Sequence, residues 1–284
     1  MAVNRKHKKD TTTAIVPQRV MDKVSPWLMP QEQQTTKDFT GWLGKNTICN
    51  LETNVVTSIT VTSNVELGGR HSRMFHLANR VARTTPEHKG SVHIEDVLEE
   101  LGISNRTENR KKVIKILKEC VGMTISIEQD KKTYMFHMIE STTYDDETGV
   151  VTFRVSPEYY KATEIFQKRF INTSSVMKLR ESNDIAIELH TYLQLRGSGV
   201  DSNTGEAKPA KKVYHDDLVI YLHLVHSVKE ENRIRVLRRA FKSLHNQGLP
   251  LYKFMHIDGE DFWTYDASAK PAKRYKDYEE LSLH

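Results

Sequence analysis

One pattern, written twice, constrains this chain more than any other feature. A short apolar helix signal leads into a turn, then a longer basic helix, then alternating strands. The second copy is the clearer. In the run Glu231 to Leu244, Ile234, Leu237, Phe241 and Leu244 recur at helical spacing on one face, while Arg235, Arg238, Arg239 and Lys242 fall on another. The apolar stripe docks on a core and leaves a ridge of cations outside. The earlier copy runs from about Arg106 to Val121, with Val113, Leu117 and Cys120 inward and Lys111, Lys115 and Lys118 on one outer face.

The copies align in short pieces. Ile94-Glu95-Asp96-Val97-Leu98 faces His215-Asp216-Asp217-Leu218-Val219, and Glu108-Asn109-Arg110 faces Glu231-Asn232-Arg233, with Val113-Ile114 matching Val236-Leu237. The offset moves from 121 to 123 residues in the intervening turn, where a length change is cheapest. A degenerate internal duplication implies two related units. Helix, helix, turn, helix and then strands is the order of a winged helix-turn-helix. The expected fold class is therefore α+β: two winged-helix domains in tandem behind an extended N-terminal arm.

Four segments follow. Residues 1–50 read as a flexible basic and polar arm, with Pro17, Pro26 and Pro30 and a Gln/Thr-rich stretch from Gln31 to Thr36. Trp27-Leu28-Met29 is an apolar island in it, either a clip on the folded body or a motif for a partner. Residues 51–175 read as the first winged-helix domain, with strands in Leu51 to Leu67 and a helix from Ser72 to Val81. Its wing is expected in the runs Met123 to Gln129 and Thr133 to Ser141, with Val150 to Val155 as a third strand after the turn Asp145 to Gly149. Pro157 opens a helix reaching toward Lys168. Residues 176–266 hold an interdomain helix, Ser182 to Leu195, and the second winged-helix domain. There, Gly197 to Lys212 reads as a polar loop without core residues, Asp216 to Leu224 as a helix, and Leu251 to Ile257 and Phe262 to Tyr265 as strands. Residues 267–284 read as a polar C-terminal tail.

The placement of charge narrows the partner. The formal net charge is only +5, but basic residues crowd Arg5 to Lys9, Arg106 to Lys118, Arg233 to Lys242 and Lys270 to Lys276, apart from the acidic Glu95 to Glu100 and Asp145 to Glu147. Segregated basic stripes favour a polyanion, here double-stranded DNA. The first-choice contacts are Arg233, Arg235, Arg238, Arg239 and Lys242, because arginines pair bidentately with guanine edges as well as with phosphate. The second group is Arg106, Arg110, Lys111, Lys112, Lys115 and Lys118, suited to phosphate contact. Lys131 and Lys132, at the first hairpin turn, complete the set as wing contacts.

Other function classes lack their residues. Hydrophobic content of 38% and charged content of 28% fit a soluble globular chain. No apolar run approaches the ~20 residues of a membrane span. The basic N-terminus has no apolar core behind it, so a cytoplasmic protein without membrane partners is expected. Cys49 and Cys120 are too few for a disulfide framework or a cysteine-based zinc site. No phosphate-binding G-x-x-x-x-G-K-[ST] loop occurs. His223 and His226 lack a third ligand and read as a core and a surface histidine. Tyr159 and Tyr160 lack the histidine pair of a rolling-circle nuclease and read as packing. We expect no enzyme, no cofactor and no metal.

These residues carry a resemblance. The run Ile59 to Leu67, the segment Ala82-Arg83-Thr84-Thr85-Pro86, the run Glu95 to Ser104, and Lys178-Leu179-Arg180 leading into the helix Ile185 to Leu195 resemble plasmid replication initiators built from two winged-helix domains, with a pattern similar to the TrfA-type initiators. The likeness spans about residues 55 to 265 and rests on apolar patterns. It implies binding of repeated origin sequences (iterons), opening of adjoining A·T-rich DNA and recruitment of the host helicase or its loader, with the host's origin-binding initiator as a further partner. It also implies a monomer–dimer equilibrium of the chain with itself. TrfA-type proteins carry an N-terminal glutamine-leucine motif for the sliding clamp; Gln31-Glu32-Gln33-Gln34 and Trp27-Leu28-Met29 do not match it. A winged-helix transcriptional regulator, or an adaptor that binds an acidic protein, remain the alternatives at this point.

Overall fold

Residues 13–21, 23–35, 40–46, 56–129, 132–165, 168–179, 183–197, 199–200, 207–266 and 268 are described by the structure, a computed structural model. The arm expected from the sequence is, in its described part, built into the fold. Strand β1 (Thr13–Pro17) is followed by α1 (Gln18–Met21), and β2 (Gln31–Thr35) pairs with β3 (Thr40–Asn46). Between them Ser25, Trp27 and Met29 are buried, so the apolar island is a clip. Nothing local announces this. β2 reads Gln-Glu-Gln-Gln-Thr and lies at the edge of its sheet, with Glu32, Gln33 and Gln34 exposed, so no apolar alternation appears. Pro26 and Pro30 sit in the connection, where no ladder N–H is needed. The basic run Arg5 to Lys9 lies outside the described residues.

The first unit continues through β4 (Val56–Ser63), α2 (Gly69–Ala82), β5 (Lys89–His93), α3 (Ile94–Leu101) and α4 (Thr107–Val121). Next come β6 (Thr124–Gln129), β7 (Lys132–His137), β8 (Ile139–Asp145) and β9 (Val150–Val155). Two sheets result, one in the order β2-β3-β4-β6-β7 and one in the order β5-β9-β8. The wing is therefore β8–β9, which pairs back to β5, and not the β6–β7 hairpin expected from the sequence. The expected strand Thr133 to Ser141 breaks at the buried Met138, whose N–H bonds to the carbonyl of Met123 and whose carbonyl accepts from Ser156. There the chain passes from one sheet to the other. Met138 and Ile139 are adjacent and both fully buried, and such a pair breaks period-2 alternation. Gly90 on β5 lets α2 approach closely, since a Cβ there would lie 2.7 Å from the Val81 carbonyl. Helix α5 (Pro157–Ile165), strand β10 (Lys168–Asn172) and α6 (Thr173–Met177) close the unit, and β10 pairs antiparallel with β1.

Helix α7 (Asp184–Arg196) opens the second unit, followed by the short hairpin β11 (Gly199–Val200) and β12 (Ala207–Lys208). This segment is not free of core residues as expected, because Ala210 is buried and its N–H bonds to the carbonyl of Leu193. The remaining elements are β13 (Lys212–Tyr214), α8 (His215–Tyr221), α9 (Leu224–Ser227), α10 (Glu230–His245), β14 (Tyr252–Ile257) and β15 (Glu260–Tyr265). The helix expected over Asp216 to Leu224 is interrupted at His223, where φ is +53°. The β14–β15 turn places Asp258 and Gly259 at φ of 54° and 79°, the two positive values of a tight two-residue hairpin. Of the polar tail, only Ser268 belongs to the described residues.

The sheet order β13-β15-β14 repeats β5-β9-β8, and α7 packs on α10 as α2 packs on α4. Each unit is thus a winged helix with its own apolar cluster. Within α6, Met177 belongs to the first cluster and Val176 to the second. The helix expected to link two domains is itself the first helix of the second one, and it also touches α2.

Candidate nucleic-acid interface

Each long helix is fastened at its start by the arginine that the internal alignment matched. In the first unit Arg110 donates from Nη2 to Glu95 Oε1 (2.8 Å) and from Nε to Asn105 Oδ1 (2.6 Å), while Asn109 donates to the Ser104 carbonyl (2.8 Å). In the second, Arg233 donates from Nε to the Val228 carbonyl (3.2 Å) and from Nη2 to the Val225 carbonyl (3.3 Å). Both guanidinium groups hold the helix against the preceding turn. Two of the thirteen expected contacts therefore carry a positioning duty inside the protein.

Outward, the two stripes form as the periodicity required. On α10, Leu237, Ala240, Phe241 and Leu244 are buried, while Arg235, Arg238, Arg239 and Lys242 are exposed at spacings that keep them on one face. None of these four cations has a carboxylate within ion-pair distance among the described residues. On α4, Val113, Ile116, Leu117 and Cys120 are buried, and Arg106, Lys111, Lys112, Lys115 and Lys118 are exposed. Here the charge is partly answered: Lys115 lies 3.8 Å from Glu119, and Glu119 also accepts from His71 at 3.0 Å.

A groove of about 590 Å³ runs between α4 and the wing, lined by Arg110, Lys111, Lys115 and Lys118 on one side and Tyr144 and Asp146 on the other. Desolvation and the hydrogen bond to Asp146 push the Tyr144 phenol above its usual range. The wing that faces this groove ends in acid, not in lysine. Asp145 Oδ1 accepts the N–H groups of Glu147 (3.0 Å) and Thr148 (3.3 Å), so the tip is a locked turn. Lys132 starts β7 in the other sheet and is exposed there; Lys131 lies outside the described residues. The second wing also ends in acid, with His256 Nδ1 2.5 Å from Asp261 Oδ1 and Lys212 4.0 Å from Glu260. Each unit thus sets an exposed cationic helix beside an acidic wing tip, and a polyanion would be drawn to the first and repelled by the second.

The residues considered for chemistry sit elsewhere. His223 is buried and its Nε2 lies 3.1 Å from the Ser25 carbonyl, whereas His226 is exposed. Tyr159 is fully buried and Tyr160 stacks on His88 with ring centroids 4.1 Å apart. Burial drives the Cys120 thiol well above its ordinary range. Among the described residues no group of three His, Cys, Asp or Glu is placed to hold a metal, and no helix is long and apolar enough to cross a membrane.

Residues 54–193 match the family described as initiator replication protein, WH1. These residues, just under half of the chain, form the WH1 domain of a replication initiator. The matched stretch of this initiator contains α2, α4 with its lysine stripe, the true wing and most of α7. Two solved structures share its fold. Domains 2 and 3 of RctB superpose with a TM-score of 0.54 at 10% identity, over 89% of this chain and 99% of that one. The Pi initiator protein in complex with iteron DNA gives 0.50 at 11% identity, over 70% and 92%. No curated protein matches the chain.

Proposed function

We propose that this initiator binds the repeated sequences of a plasmid or plasmid-like phage origin with both winged helices and opens the adjoining DNA without covalent chemistry of its own. The observation that carries the reading is the paired geometry: two units of one topology, each turning a long helix outward with a stripe of exposed cations. Arg235, Arg238 and Arg239 of α10, exposed and without a carboxylate partner among the described residues, fit direct reading of base edges, and the lysines of α4 fit phosphate. Binding energy from many phosphate contacts then supports distortion of the duplex. The likeness in fold to an initiator described in complex with iteron DNA supports the same ligand. The host helicase or its loader, the host's origin-binding initiator and a second copy of the chain are the protein partners of this reading, which places the protein in the cytoplasm.

The test is maintenance of a selectable origin fragment with and without this gene, together with mobility shift on duplexes carrying the origin repeats. A ladder that grows with repeat number, and plasmid maintenance lost with the gene, are expected. Binding that ignores repeat number, with maintenance unchanged, overturns the reading.

A further inference from the structure

The two units meet around a carboxylate. Glu188 on α7 is 1% exposed, and its Oε2 accepts from Ser25 Oγ at 2.7 Å and from the Tyr221 hydroxyl at 3.4 Å. Ser25 is held from three sides. Its N–H donates to the Tyr221 carbonyl at 3.0 Å, its own carbonyl lies 3.1 Å from His223 Nε2, and its hydroxyl serves Glu188. Tyr221 in turn packs its ring 4.6 Å from that of Tyr192 on α7.

The segment that carries Ser25 belongs to both units. Trp27 lies 5.6 Å from the ring of Phe75 on α2, and β1 is zipped to β10, so the segment is embedded in the first unit on either side of Ser25. Leu28 packs against the second cluster. A second tie runs beside it: Arg73, buried on α2, donates to the carbonyls of Met177 and Leu179, just ahead of α7. Apolar contact alone would let two units slide, whereas directional hydrogen bonds at a buried site fix one arrangement. A carboxylate taken out of water is costly unless such bonds answer it, so packing alone gives no reason for its presence here.

We propose that Ser25, Glu188 and Tyr221 form a latch that sets the distance and angle between α4 and α10, so that the gap between the two halves of a DNA site is read by the junction between the units. The proposal rests on the DNA-reading function above. The three side chains are positioning residues; they touch no DNA. Each base pair added between half-sites displaces one of them by ~3.4 Å and turns it by ~34°, so a fixed junction tolerates few gaps and a loosened one many.

Duplexes are selected from a random pool with the full chain, and binding is measured on the selected sites with the gap changed by one, two and three base pairs. Wild type is expected to lose about tenfold or more per altered gap, while Ser25→Ala binds the parent site within about threefold and loses less than about threefold on altered gaps. Glu188→Met removes the carboxylate while keeping length and an apolar surface, and is expected to relax the gap preference in the same way. Glu188→Gln keeps an acceptor for both hydroxyls and is expected to retain the wild-type preference. An undiminished gap preference in both Ser25→Ala and Glu188→Met overturns the latch. A wild type that selects no duplex counts against the DNA-reading function, and the latch is then decided by X-ray scattering of the same proteins. Broader interunit distances in the two variants support it, and superposable profiles overturn it.

Discussion

The two winged helices share a topology and differ in almost everything around it. The first is wrapped: a five-stranded sheet containing β2 and β3 stands beside its core, and the Trp27 clip and β1 lie against it. Among the described residues the second is nearly bare, with only the short β11–β12 hairpin and α9 added to the common plan. Their outward helices differ in the opposite sense. The wrapped unit presents lysines, one of them beside Glu119; the bare unit presents three arginines and a lysine with no carboxylate partner among the described residues. Flexible ammonium groups suit phosphates at variable positions, and planar guanidinium forks suit defined base edges. Under the proposed function the difference becomes a division of labour, in which the heavily supported unit anchors the duplex and the lighter one reads it.

The largest expected effect tests the wrapping. Trp27→Ala should destabilise the protein by ~3–5 kcal/mol, as much as Phe241→Ala in the core of the bare unit, because both delete a large buried aromatic. Urea unfolding measures both, and a loss below ~0.5 kcal/mol for Trp27→Ala would return the clip to the status of a surface arm. Next in size, Arg235→Ala and Arg239→Ala should each cost ~1–3 kcal/mol on a selected site and less on random duplex. Equal losses on the two substrates would break the assignment of base reading to α10.

A smaller effect follows from pH and involves both units. Burial lowers His76 to about 3 and both His190 and His223 to about 4, so these imidazoles stay neutral when folded. An unfolded histidine takes a proton near 6.5, so the stability these three hold above that value is lost as pH falls toward their folded values. Glu188 runs the other way. Burial raises it from 4.5 to about 7, with Asp184 adding to the rise and the hydroxyls of Ser72, Ser25 and Tyr221 opposing it. Its contribution is present below 4.5 and lost as pH rises through about 7. Three histidines outweigh one carboxyl, so the thermal midpoint should rise from acid pH and level off above about pH 7. Glu188→Gln should remove the carboxyl's share of the pH dependence. A midpoint that climbs steadily beyond pH 8 would contradict these directions. The smallest effect is expected from Lys115→Ala: a uniform weakening on every duplex and a salt slope reduced by about one unit, read from binding at several salt concentrations. A site-dependent loss instead would move α4 into the reading role and erase the contrast between the units.

What could be read from residues alone follows the range of the interactions. α4 and α10 announce themselves because a helix buries one face at a fixed spacing, and Val113, Leu117, Leu237 and Phe241 keep that spacing without interruption. The pairing of Arg110 with Arg233 was visible as an alignment, although not as a shared internal fastening. Sequence alone does not separate β6–β7 from β8–β9 as the wing, because the two hairpins have the same local pattern and only pairing with β5 tells them apart. Sequence leaves the clip open between two readings because its partners, Phe75 and Tyr221, lie far along the chain. Ser25 and Glu188 carried no signal at all: a serine in a polar stretch and a glutamate in a helix are ordinary until the fold places them together.

The pairing of β1 with β10 has a consequence in time. It joins residues 13–17 to residues 168–172, so the earliest described strand waits, during synthesis, for the whole of the first unit to leave the ribosome. Contacts of such sequence separation form late and slow folding, and an unpaired strand edge is exposed until they do. A nascent chain halted before Lys168 would hold β1 without its partner, and such a fragment should be sticky where the finished protein is not.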